Sequence, residues 1–175
     1  IICVVLILMN TYPLYMSQKM LFLSKESSLK SSVDTVASAL SGLSELTEEN
    51  VDAALSLVEI TGVSRAIVTT AAGRVLYDTR EVGSAAGYHV FYTELVQALE
   101  GYDAFYSVYK DGAFRSTAAA PVVYRSETIG AVYVYEYDRS QAELLQNLQK
   151  NLMSISIGIG AVVLTLSILL SKLLT

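Results

Sequence analysis

From Leu152 to Ser171 the chain carries no Asp, Glu, Lys, Arg or His. A helix of about 20 residues rising about 1.5 Å each is about 30 Å long, the thickness of a bilayer's hydrocarbon core. A helix satisfies its own backbone hydrogen bonds, which lipid cannot do for it. The run therefore predicts a membrane-crossing helix over 151–171, bracketed by Lys150 and Lys172. Ser154 and Gly158, and Ser156 and Gly160, form small-xxx-small pairs of the kind that lets helices approach closely in lipid.

A second apolar run opens the chain, and residues 1–16 are expected to form a truncated transmembrane helix. Asn10 and Pro13 fall in its outer third, and Tyr12 and Tyr15 suit the membrane interface. The rival is the apolar core of a signal peptide, but no basic stretch precedes it and no A-x-A-like site follows. The chain begins with Ile rather than Met and stops four residues after Ser171. That predicts a piece of a longer chain, in which this piece senses and the rest acts. Two spans put both ends on one side, and Lys172 marks that side as cytoplasmic. Residues 17–150 then form an extracytoplasmic domain at the cell membrane, and 172–175 begin a cytoplasmic linker.

Hydrophobic residues make up 53% of the chain and the mean hydropathy is +0.45. Both exceed what a soluble domain carries, and the excess lies at the two ends. The net charge of −5 gives no basic surface for phosphates, so nucleic acid is excluded as a partner. The single cysteine, Cys3, lies in the first apolar run, where it reads as a small membrane-helix residue. The central region therefore has no disulfide framework and no cysteine metal site.

Apolar residues recur at Phe22, Leu29, Val33, Val36, Leu40 and Leu43, one stripe of an amphipathic helix over 17–44, with Ser, Lys and Glu on the other face. That stripe can pack on the domain's own sheet or against a second copy of itself. Thr47 is a plausible N-cap for a second helix ending at Thr61-Gly62. The acidic group Glu45, Glu48, Glu49 and Asp52 reads as an ordinary solvated helix start rather than a metal site. The period then changes to two. Strands are predicted over 63–70 and 73–79, joined through Ala71-Ala72-Gly73, followed by a loop with Gly83 and Gly87 and a short helix over 90–99. Three further strands are predicted over 104–110, 114–124 and 128–137, turning at Asp111-Gly112 and Arg125-Ser126-Glu127. Ser140-x-x-Glu143 reads as a capping box opening a helix that continues into the second span. The fold class is α+β: a five-stranded antiparallel sheet with a long N-terminal helix packed on it.

In that order of elements, Gly73-Arg-Val-Leu-Tyr-Asp-Thr79, Ala118-Ala-Ala-Pro-Val122 and Ile129-Gly-Ala-Val-Tyr-Val134 carry a resemblance. The chain resembles the single-Cache, PAS-like sensor domains found outside the membrane in bacterial sensor histidine kinases. Ser171-Lys-Leu-Leu-Thr175 is similar to the junction before a HAMP linker. The resemblance implies a homodimer through the N-terminal and transmembrane helices, and an absent cytoplasmic part holding the kinase domains and addressing a response regulator. The alternatives are the sensor region of a chemoreceptor or cyclic-dinucleotide enzyme, or an accessory membrane protein without kinase output.

No phosphate loop, HExxH motif or nucleophile elbow is present, so no catalytic residue and no cofactor is expected. Binding is the better expectation. Tyr combines an apolar ring with a hydrogen-bonding tip, and Tyr133, Tyr135 and Tyr137 alternate onto one face of the last strand. The candidate ligand-binding residues are His89, Arg115, Tyr88, Tyr106, Tyr133 and Tyr135. His89 and Arg115 together are candidates to hold a carboxylate. The opposing reading is that the tyrosines are strand formers, Arg115 a surface residue and His89 a loop residue.

Overall fold

A computed structural model describes residues 2–80 and 87–174, so the expected loop at Gly83 lies outside the described residues, as does the Cys3 side chain. The chain divides into two compact units, one of Ile1–Leu21 with Ser140–Thr175, the other of Phe22–Arg139. The first contains the N-terminal half of helix α1 (Ile2–Leu40) and helix α4 (Ser140–Leu174). Among the described residues α4 alone is long and apolar enough to cross a membrane. The first apolar run is helical, as expected, but falls short of that measure, because Asn10, Pro13, Gln18 and Lys19 interrupt its apolar surface. Asn10 Nδ2 donates to Ser156 Oγ, a polar contact between α1 and α4. Pro13 has no N–H for the Met9 carbonyl, which weakens the helical ladder there.

The second unit is an antiparallel sheet of β1 (Arg65–Thr70), β2 (Val75–Asp78), β3 (Ala104–Lys110), β4 (Ala113–Tyr124) and β5 (Glu127–Asp138), in the order β2-β1-β5-β4-β3. The last strand runs down the centre, so a displacement of β5 is felt on both sides. Its close fit to β1 requires Gly130, where a Cβ would meet the Thr69 carbonyl oxygen at 2.1 Å. The turn at Asp111-Gly112 has φ of 54° and 73°, the left-handed pair that suits the twist of a two-residue hairpin.

One face of the sheet is covered by the α1 stripe and by α2 (Glu48–Leu55). Leu29, Val33, Val36 and Leu40 are 0–1% exposed there, packed with Val68, Val132 and Val134. Spacing predicted this stripe, and of the two partners it left open, the domain's own sheet is the one it packs on. Lys25 differs from expectation: it lies on the buried face of α1, not among the solvated residues, and is 6% exposed. Thr47 Oγ1 caps α2 by accepting from the Asn50 amide at 3.3 Å, and Glu48 pairs with Arg74 at 3.1 Å.

The helix boundaries differ from the sequence reading. Helix α1 is continuous from Ile2 and ends at Leu40 rather than Ser44. Helix α2 ends at Leu55, not Gly62, because the chain turns away at Ser56 and leaves Leu57 88% exposed. Helix α3 (Thr93–Leu99) starts three residues late, because the backbone before it is used as strand. The Val75 amide donates to the Tyr88 carbonyl at 2.9 Å, and the Val90 amide to the Gly73 carbonyl at 3.0 Å.

Candidate functional site

The opposite face of the sheet is built differently. Cross-strand partners share a face, so the register fixes its rows. Asp78, Ile67, Tyr133 and Ala119 form one row, and Arg65, Tyr135, Thr117 and Tyr106 the next. Tyr137 and Arg115 form a third. Helix α3 covers the apolar end, where Leu95 and Ala98 are buried with Ile67, Val75 and Ala131. Toward Arg65 and Tyr137 exposure rises: Tyr133 is 6% exposed, Tyr137 44% and Tyr106 54%.

The β2 border of this face is a hydrogen-bonded cluster that the sequence reading missed. The Asp78 carboxylate is fully buried. It accepts from Arg65 Nε at 3.0 and 3.1 Å, from Arg65 Nη2, from the Tyr88 hydroxyl at 2.7 Å and from the Arg80 amide at 3.0 Å. Burial opposes its charge, but these donors, Arg65 foremost, hold its pKa below the usual carboxylate range. Tyr88 is pushed up to about 12, by burial first and then by its bond to Asp78. The bond to Asp78 likewise raises Arg65 above the ordinary guanidinium value, against the effect of burial.

Asp78 is saturated and therefore structural: its work is to hold Arg65 and Tyr88 in place. Arg65 is not saturated, since among the described residues no hydrogen bond reaches its Nη1. Beside it the hydroxyls of Tyr92, Tyr133 and Tyr135 accept and donate no hydrogen bond among the described residues. The Tyr92 and Tyr133 rings touch at a centroid distance of 4.9 Å. Burial, and then Glu94, raise the Tyr133 pKa, so it stays a neutral donor at physiological pH. Arg115 stacks over Tyr137 at 6.0 Å and pairs with Asp111 at 3.2 Å, while its Nε is buried without a partner among the described residues. The Arg65 and Arg115 Cα positions are two strands and two residues apart, roughly 12 Å by sheet spacing. The arrangement offers hydrogen-bond donors on rigid aromatic ground, which suits an anionic or polar small molecule.

Of the six expected residues, Tyr88, Tyr106, Arg115, Tyr133 and Tyr135 fall on this face or its border. His89 does not: it is exposed, stacks on Phe91 at 6.2 Å and bridges to Arg74. Arg74 bonds Thr70, whose partner on β5 is Gly130, whereas Arg115 pairs with Tyr137. Seven residues of β5 separate those positions, roughly 20 Å. The structure does not bring His89 and Arg115 together, and the two-residue carboxylate clamp is not formed. The missed signal was the pairing of Arg65 with Asp78, two strand-end charges that become neighbours only once β1 and β2 are in register.

No protein-family model matches the chain, and no curated protein matches it. Fourteen chains of solved structures do. An extracellular ligand binding receptor from Desulfohalobium retbaense DSM5692 aligns at 17% identity with a TM-score of 0.56, over 75% of this chain and 25% of that one. The E. coli DcuS sensor domain aligns at 13% identity and a TM-score of 0.45, over 75% of this chain and 98% of its own. The sensor domain of the V. cholerae histidine kinase DctB aligns at 17% and 0.38, over 56% and 37%. The chain thus spans about a quarter of the receptor it matches at the TM-score of 0.56, and at 17% identity that likeness establishes a shared fold.

Proposed function

We propose that this chain is the sensing and membrane-anchoring input region of a transmembrane receptor. Residues 22–139 are its extracytoplasmic PAS-like sensor, residues 151–171 a transmembrane helix, and residues 1–16 a second one. The observation that carries the reading is continuity: central strand β5 ends at Asp138 and α4, of membrane-crossing length, starts at Ser140. A displacement of the strand carrying Tyr133, Tyr135 and Tyr137 passes into that helix with one residue between them. The shared fold with an extracellular ligand binding receptor supports a ligand-sensing role. A histidine kinase beyond residue 175, working as a homodimer and addressing a response regulator, is the output this reading favours. The ligand is a small polar or anionic molecule held by Arg65 Nη1, Arg115 and the phenols of Tyr88, Tyr106, Tyr133 and Tyr135.

Ligand binding biases a receptor only by its differential affinity for two states, and about 1–3 kcal/mol of coupling gives a useful response. A thermal-shift screen of the chain in detergent micelles against small metabolites tests the site. A ligand that binds the folded state raises the melting temperature by mass action. The expected hit loses its effect in Arg115→Gln and Tyr135→Ala. A ligand whose effect survives both substitutions binds elsewhere and overturns the site assignment.

A further inference from the structure

On the covered face of the sheet, two sequence patterns break at the same place. The buried stripe of α1 runs Leu40, Val36, Val33, Leu29 and then Lys25, where the spacing asks for an apolar residue. The inward positions of β5 run Val132, Val134 and then Glu136 and Asp138. The two breaks meet. Lys25 Nζ lies 2.5 Å from Glu136 Oε1 and 2.5 Å from Asp138 Oδ2, with side-chain exposures of 6%, 18% and 12%. A buried ion triad costs desolvation, and apolar residues of similar size serve stability as well or better. Stability alone therefore gives no reason for three charges here. A triad differs from an apolar contact in having a fixed register, since the ammonium bonds well in only a few positions.

We infer that Lys25 is a positioning residue for signal transfer: its clamp on Glu136 and Asp138 sets the register of the end of β5 against α1, and so the position from which α4 departs. The inference rests on the transmembrane reading above, because Asp138 is two residues from the start of α4. Release of one carboxylate lets the strand end move by a bond length or more while the apolar rows above it stay packed. The clamp thus gives the junction two discrete arrangements, which is what a switch requires and a continuous apolar core does not supply.

The test uses the whole chain in lipid vesicles, with Cys3→Ser and a single reporter, Leu173→Cys, beyond the apolar run of α4. The readout is the maleimide labelling rate at that reporter, alongside the thermal unfolding midpoint. Lys25→Met is expected to change the labelling rate threefold or more while leaving the midpoint within a few degrees. The charge swap Lys25→Glu with Glu136→Lys, which restores opposite charges in the same place, is expected to return the rate to within twofold of the parent. A merely structural lysine moves the midpoint and not the rate. A folded Lys25→Met chain with an unchanged rate overturns the inference and leaves the transmembrane reading intact. A reporter that labels equally fast in vesicles and in denaturant shows that α4 is not held by the bilayer, which overturns both.

Discussion

The two faces of one sheet are made from alternate residues of the same strands, yet they do different work. The face under α1 and α2 is filled by Leu29, Val33, Val36, Leu40, Val68, Val132 and Val134, all at most 1% exposed. The other is apolar only beneath α3, then passes into Arg65, Tyr135, Arg115 and Tyr137. A face that only had to exclude water has no use for phenol hydroxyls without hydrogen-bond partners among the described residues, or for guanidinium groups that leave an N–H unbonded there, as Arg115 leaves its buried Nε, since each costs desolvation when buried. On the function proposed above, the difference separates stability from recognition by side of sheet. A substitution on the first face should therefore lower stability, and one on the open part of the second should mainly change binding.

The strongest way to break that comparison is Leu40→Ala. Leu40 is fully buried, and truncating such a side chain leaves a cavity costing about 2–5 kcal/mol. Chemical unfolding of the chain in micelles measures it, and a loss below about 1 kcal/mol would mean that α1 does not close the core.

Asp78→Asn comes next, because the Asp78 carboxylate on the border of the open face is fully buried. The change leaves Arg65 facing a neutral amide, and losing such a charge-assisted set costs about 2–3 kcal/mol. The pH dependence sharpens it. Because the folded pKa of Asp78 is depressed, its contribution is fully present above the unfolded value of about 3.9 and is lost as pH falls through the lower folded value. Unfolding followed from pH 5 downward should fall more steeply in the parent chain than in Asp78→Asn. Parallel curves would show that Arg65 does not hold the carboxylate.

What the sequence disclosed follows the same division. The covered face announced itself through period: steps of four and three along α1, and steps of two along β4 and β5, each placing apolar residues on one side. Local turn chemistry at Asp111-Gly112 and the Thr47 cap was equally legible, because those bonds close within a few residues. The recognition face was only half legible. Tyr133, Tyr135 and Tyr137 could be put on one side of β5, but Arg65 and Asp78 are thirteen residues apart and pair only through the register of β1 with β2. Lys25 is 111 and 113 residues from its acidic partners, a separation that no local pattern spans. His89 misled for a related reason: its loop position was right, but the residues around it add to the β2 edge instead of reaching the tyrosine rows.

A smaller effect is expected at Tyr88, whose hydroxyl closes the Asp78 cluster. Its pKa is raised to about 12, so the neutral phenol is favoured in the folded state. That contribution is present below the unfolded value of about 10 and disappears as pH rises through the folded one. The parent chain should lose stability between about pH 10 and 12, and Tyr88→Phe should lose less over the same interval. Alkaline unfolding monitored by circular dichroism measures the difference, and identical slopes would remove Tyr88 from the cluster.

The smallest effect on stability and the most informative one for function is expected at Tyr135. It stands opposite Arg65 on β1 and Thr117 on β4, only half buried, in the row where α3 no longer covers the sheet. Its hydroxyl makes no hydrogen bond among the described residues, so Tyr135→Ala removes ring contacts from a surface already open to water. The half-buried ring also packs on the cluster around Ile67 and Leu95, so the expected loss is about 1 kcal/mol, well below that at Leu40. If the row exists for recognition, the same change should abolish the thermal shift given by any ligand of this face, because the ring is the floor between the two arginines. A loss of stability as large as that of Leu40→Ala, with ligand binding retained, would reverse the assignment: the tyrosine row would then be core, and the sheet would have one kind of face rather than two.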